Sequence, residues 1–170
     1  MFNLRPAVLA LALGLAAAGT AAAQDTAAPG PRVASNTFFV ELGGNALAYS
    51  LNGEHFFTPQ LGIRVGGMYL RVDDSEGESA NVLLVPVMAT YLLGEGNSHF
   101  EIGAGAGFGT AGVEDVDVGN DRASTVYGTA TFGYRYQKPA GGVIFRAGFT
   151  PIVASGSVIP WAGLSVGYAF

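Results

Sequence analysis

Cysteine is absent from the 170 residues. No disulfide framework is available, so hydrogen bonding and packing must hold the fold. Charge is scarce: 12% of residues are Asp, Glu, Lys or Arg, with 13 acids against 8 bases. That balance argues against nucleic acid as a partner. Long apolar runs are missing after the N-terminus. From Thr37 to Phe170 no window of about 18 residues is uniformly apolar, so that stretch holds no membrane-spanning helix.

The one apolar run that is present begins the chain. Met1 to Arg5 supplies a single positive charge, Ala7 to Ala18 forms a short Ala/Leu core, and Ala21-Ala22-Ala23 precedes Gln24. This is the pattern of a cleavable signal peptide over residues 1–23, with a core too short to span a bilayer. No Cys follows the cleavage site, which excludes a lipoprotein anchor. Removal of the peptide leaves 7 basic and 13 acidic residues, a net charge of −6. Residues 24–36, rich in Ala and with Pro29 and Pro31, read as a disordered lead-in. Residues 37–170 form one domain.

Within that domain glycine is abundant, 26 in the whole chain, and the apolar residues recur with a period of two. In Trp161–Phe170, Leu164, Val166, Tyr168 and Phe170 share one face, with Gly163, Ser165, Gly167 and Ala169 opposite. In Phe100–Thr110, Phe100, Ile102, Ala104, Ala106 and Phe108 oppose Glu101 and four glycines. Thr125–Gln137 and Val143–Thr150 divide the same way. Thr37–Gly44, Leu47–Phe57, Leu61–Arg71 and Val82–Leu93 complete eight segments. The last is apolar on both faces and interrupted by Pro86, which leaves its facing open.

Eight strands of this length suit a tilted crossing of a bilayer. The face mixing Gly, Thr, Ser and isolated charges fits the narrow interior of an eight-strand barrel, so the bulky face must meet lipid. The predicted fold is therefore all-β: a closed antiparallel up-and-down transmembrane β-barrel of about eight strands. Closure also satisfies every strand edge, as hydrocarbon demands. Connections alternate between short (Thr58–Gln60, Gly94–Ser98, Lys138–Gly141) and long (Val72–Ala80, Val113–Ala123, Pro151–Pro160), as expected for periplasmic turns and outer loops. The very short connection at Asn45–Ala46 is the exception.

With its signal peptide, strand count and terminal Leu164-x-Val166-x-Tyr168-x-Phe170, the chain resembles the small outer-membrane β-barrel superfamily. That eight-strand kind includes the porin-like OmpA and OmpX transmembrane domains. The resemblance implies a Gram-negative outer-membrane location and recognition of Leu164, Val166, Tyr168 and Phe170 by the assembly machinery. It implies nothing specific about function. The expected surroundings are outer-membrane lipids and lipopolysaccharide, around a monomer.

Six charges fall on the less bulky faces: Glu41, Glu54 and Glu101, with Arg64, Arg135 and Arg146. Unpaired charges there would be costly, so the pattern predicts an internal ion-pair network. A plug that fixes register is preferred to a polar path for small solutes, because such interiors are usually full. Two acidic clusters, Asp73, Asp74, Glu76, Glu78 and Glu114, Asp115, Asp117, Asp121, could hold a divalent cation. Their spacing misses the EF-hand order, so solvated loops are preferred. Gly107-x-Gly109-x-x-Gly112 matches a dinucleotide fingerprint formally but opens no helix. Catalysis and a cofactor are not expected. His55 and His99 lie toward the periplasmic end, Ser75 lies in an outer loop, and a nucleophile needs its base about 3 Å away. Tyr49, Phe57, Tyr69, Tyr91, Phe100, Tyr136, Trp161 and Phe170 sit near strand ends, as interfacial girdles do.

Overall fold

The computed structural model describes residues 33–73, 79–115 and 119–170. The signal peptide and most of the lead-in lie outside them. So do the side chains of both acidic clusters.

The strands are β1 (Asn36–Gly43), β2 (Tyr49–Phe56), β3 (Leu61–Asp73), β4 (Ser79–Leu93), β5 (Ser98–Asp115), β6 (Gly119–Tyr136), β7 (Gly142–Phe149), β8 (Ile152–Ala154), β9 (Ser157–Ile159) and β10 (Ala162–Ala169). Each pairs antiparallel with its neighbour, and β10 pairs with β1 from Thr37 opposite Ala169 to Gly43 opposite Gly163. With β5 on β6 and β6 on β7, the sheet closes on itself. The constant register of β7–β10 and β8–β9 places Pro151 opposite Pro160. β7 with β8, and β9 with β10, are thus two staves of one hairpin interrupted by facing prolines, which supply no backbone N–H. The described residues form an eight-stave barrel.

The alternation of side chains matches the sequence reading. Val40, Leu51, Ile63, Val87, Phe108, Phe132, Phe145 and Val166 are among the exposed apolar residues of the outer surface. From Phe100 to Phe108, a rise of about 3.3 Å per residue tilted by roughly 40° spans ~20 Å, close to a hydrocarbon thickness. The facing of β4 is now fixed: Leu84, Pro86, Met88, Thr90 and Leu92 point inward and are buried. Glycine admits a large neighbour at Gly107, where a Cβ would collide with the Tyr127 ring.

Three expected loops are shorter than predicted. β3 and β4 run to Asp73 and from Ser79, β5 and β6 run to Asp115 and from Gly119, and Pro151–Pro160 holds the β8–β9 hairpin. The reason is physical. Beyond Tyr69, Leu83, Phe108 and Val126 the outward face turns polar, with Arg71, Asn81, Thr110, Arg122 and Ser124. The apolar alternation that marks a strand stops there, while the backbone ladder continues.

The β1–β2 connection also departs from expectation. β2 begins at Tyr49 rather than Leu47, and a single 3₁₀ turn, Gly44–Ala46, is buried inside the barrel. The chain turns inward there with Gly43 at φ 70° and Gly44 at φ 74°, a region that favours glycine, and leaves through Leu47 at φ 68°. At the opposite rim, where the described residues begin at Val33 and end at Phe170, Val33 and Ala34 donate backbone hydrogen bonds to Pro139 O at 3.0 and 3.2 Å. Ala34 is buried there with Phe39, Ile144 and Ala169.

Candidate functional site

Six strands supply the interior charges: Glu41 from β1, Glu54 from β2, Arg64 from β3, Glu101 from β5, Arg135 from β6 and Arg146 from β7. All six are buried. Each occupies a lumen-facing step of its strand, and the closed sheet brings them together.

Their pairing is uneven. Arg135 Nη1 donates to Glu54 Oε2 at 2.6 Å and to Glu101 Oε2 at 3.3 Å. Its Nε donates to Gln137 Oε1 at 2.7 Å and its Nη2 to Thr37 Oγ1 at 3.3 Å. Arg146 grips Glu101 in a fork, through Nε to Oε2 at 2.9 Å and Nη2 to Oε1. Thr90 Oγ1 donates to Glu54 Oε1 at 2.6 Å. This half is tightly bonded. Glu41 is held more loosely: its Oε1 lies 3.7 Å from Nη1 of both Arg64 and Arg146, beyond hydrogen-bond range. Ser165 Oγ donates to the same oxygen at 3.3 Å.

Aromatic and apolar residues share the interior. The Arg146 guanidinium carbon lies 4.4 Å and that of Arg64 5.8 Å from the centre of the Phe39 ring, while that of Arg135 lies 5.1 Å from the centre of Phe56. Phe39, Met88, Leu92 and Ile144 are fully buried beside the charges. The division into bulky outside and small or polar inside therefore has exceptions where a guanidinium face needs cover.

Asn45, in the inward turn, caps this layer. Its Nδ2 donates to Thr129 Oγ1 at 2.6 Å and to Ala130 O at 3.0 Å. Its Oδ1 accepts from Arg64 Nη2, and its backbone carbonyl accepts from Tyr127 OH at 2.9 Å. Sequence reasoning missed Asn45, although the Gly43-Gly44 pair marks a break in strand geometry at that point. Asn45→Ala should lower stability by about 1–3 kcal/mol, because Arg64 and Thr129 lose buried partners. A shift of the urea midpoint in detergent micelles reads this effect.

Beyond Asn45 the interior turns apolar, with Ala46, Met68, Leu84, Tyr127 and Ile152 packed as a cluster. An interior cavity beside Glu41, Glu101, Thr150 and Arg146 has a volume of about 10 Å³, the space of a single water. The arrangement can hold polar side chains in a fixed register.

The remaining sequence candidates are dispersed. His55 is exposed on the outer surface, its Nδ1 2.8 Å from Asn36 Oδ1. His99 is the second residue of β5, with its ring buried. Ser75 lies outside the described residues. Tyr49, Tyr69 and Trp161 ring the far end of the barrel, and Phe57, Tyr91, Phe100 and Phe170 the end at which the described residues begin and end; all seven are exposed. Leu164, Val166, Tyr168 and Phe170 all face outward.

No protein-family model matches the sequence, and a search of curated proteins returns no match. Solved structures do match the fold. The N-terminal β-barrel domain of Pseudomonas aeruginosa OprF is 18% identical, with a TM-score of 0.59, over 80% of this chain and 96% of that one. Yersinia pestis Ail, the attachment invasion locus protein, matches in two structures. In complex with the heparin analogue sucrose octasulfate it is 14% identical, with a TM-score of 0.55, over 81% of this chain and 97% of that one. The other Ail structure is 13% identical, with a TM-score of 0.51, over 81% of this chain and 100% of that one. At these identities the likeness is one of fold.

Proposed function

We propose that this chain is a non-catalytic, structural or surface-interaction protein of the bacterial outer membrane, with its lumen closed by the Glu/Arg network and by Asn45. The observation that carries this reading is the buried network of three carboxylates and three guanidinium groups, beside which one cavity has room for about one water. The fold shared with OprF and Ail supports the membrane assignment. Export through cleavage before Gln24, assembly through the terminal aromatic strand, and a monomer surrounded by phospholipid and lipopolysaccharide complete the proposal. Binding of a sulfated polyanion, as in the Ail complex, is not carried over. In sequence, the segments 71–79 and 113–122 carry Asp73, Asp74, Glu76, Glu78, Glu114, Asp115, Asp117 and Asp121 against Arg71 and Arg122.

Cell fractionation tests the reading. The protein should enter the outer-membrane fraction, begin at Gln24, and migrate faster on gels before heating than after it. Recovery as a soluble periplasmic protein would refute it, and a change in lipid A mass on overexpression would refute its non-catalytic part.

A further inference from the structure

The far rim of the barrel is uneven. β3, β4, β5 and β6 pair with one another well beyond the level at which β2 starts and β8 ends. They form a tall wall, and the tip of the β8–β9 hairpin at Ser155–Gly156 is the low side next to it. β6 pairs with that hairpin at Gly128 opposite Val153 and Thr129 opposite Ile152, with Ala130 N and Thr129 Oγ1 donating to Pro151 O at its base. The facing prolines at 151 and 160 weaken the same hairpin at its base.

The wall is amphipathic in the sense opposite to the barrel below. Its outward face carries Arg71, Asn81, Arg122 and Ser124, whereas the face that continues the lumen carries, beside the exposed Thr125, five apolar residues: Leu70, Val72, Ala80, Ala111 and Ala123. Those five are exposed, Val72 at 58%. They stand directly above the buried cluster of Met68, Leu84, Tyr127 and Ile152, onto which Val82 packs. The lumen therefore ends in a cup with an apolar floor and one apolar wall.

Across the low side the cup is continuous with the lipid-facing surface. Val126 is 70% and Val158 65% exposed, and Val153 is exposed beside them. An exposed apolar surface joined to a lipid-facing one is suited to an aliphatic chain. We propose that the cup takes one acyl chain of a lipid from the surrounding leaflet, entering over the β8–β9 hairpin. The chain rests on Leu70, Val72, Ala111 and Ala123 and goes no deeper than Met68 and Tyr127. Beneath them Asn45 and the ion pairs offer only polar or filled space. The site is one of binding, and it leaves the lumen closed.

The absence of cysteine makes a direct test simple. Leu70→Cys carries a bimane label in bilayers whose acyl chains are brominated, with Tyr69→Cys as the reference on the lipid-facing side of the same strand. The proposal expects bromine quenching at position 70 within about two-fold of that at position 69. Quenching at position 70 by aqueous iodide but not by bromine would overturn it, since the cup would then hold water. Access by neither quencher would overturn it too, since protein would then cover the face. Ala123→Cys reads the same surface from β6, should Leu70→Cys fail to fold.

Discussion

Glu101→Ala should destabilise the folded barrel by about 3–5 kcal/mol, the range for removing one partner of a buried charge pair. Glu101 is the acceptor for two guanidinium groups, Arg135 and Arg146. Without it Arg135 keeps Glu54 at 2.6 Å, but Arg146 keeps the Phe39 ring, Ser165 at 3.4 Å and, as its carboxylate, Glu41 at 3.7 Å. The interior would hold one excess positive charge, next to a cavity with room for about one water. The double variant Glu101→Leu with Arg146→Met should recover a large part of that loss, because it restores neutrality and fills the volume with apolar atoms. Urea unfolding of the single and double variants in the same detergent, followed by gel mobility, compares the two. A double variant no more stable than Glu101→Ala would show that the pairing of Glu101 with Arg146 does not govern the interior.

Deleting Phe170 should impair assembly in cells far more than refolding in detergent. Two effects separate here. Phe170 and Asn36 exchange backbone hydrogen bonds at 2.8 and 2.9 Å, which tie the end of the chain to β1. Their loss costs only about 0.5–1.5 kcal/mol each, and β10 keeps its register from Ala169 to Gly163. The ring itself is 64% exposed and faces outward with Leu164, Val166 and Tyr168. It contributes little to the interior, so a large assembly defect would report on recognition of the terminal strand. Normal membrane insertion of the deletion variant would remove the assigned role from Phe170.

Much of this architecture is legible in the sequence, and the limits have physical causes. The alternation in Phe100–Thr110 and Trp161–Phe170 is clear because lipid requires bulky apolar residues on one face and the narrow lumen requires small or paired ones on the other. That contrast also makes Glu41, Glu54, Arg64, Glu101, Arg135 and Arg146 visible as interior positions. Where lipid ends, the contrast ends. Arg71, Asn81 and Arg122 belong to strands that look like loops, since the hydrogen-bond ladder leaves no trace in hydropathy. Pro151 and Pro160 read as the limits of a loop, and only the register reveals that they face each other. Asn45 was hidden for another reason: a three-residue turn that folds inward has too few positions to show a period. Phe39 and Phe56 sit inside against guanidinium faces, a role that alternation alone assigns to no aromatic residue.

Closure of the lumen is the claim on which the functional reading stands, and planar-bilayer recording tests it most directly. Purified wild-type protein inserted into a bilayer should give no resolved conductance steps, because Asn45, the apolar cluster and the ion pairs occupy the cross-section in succession. Reproducible single-channel steps from the wild-type barrel would contradict that account and favour a transport barrel in its place.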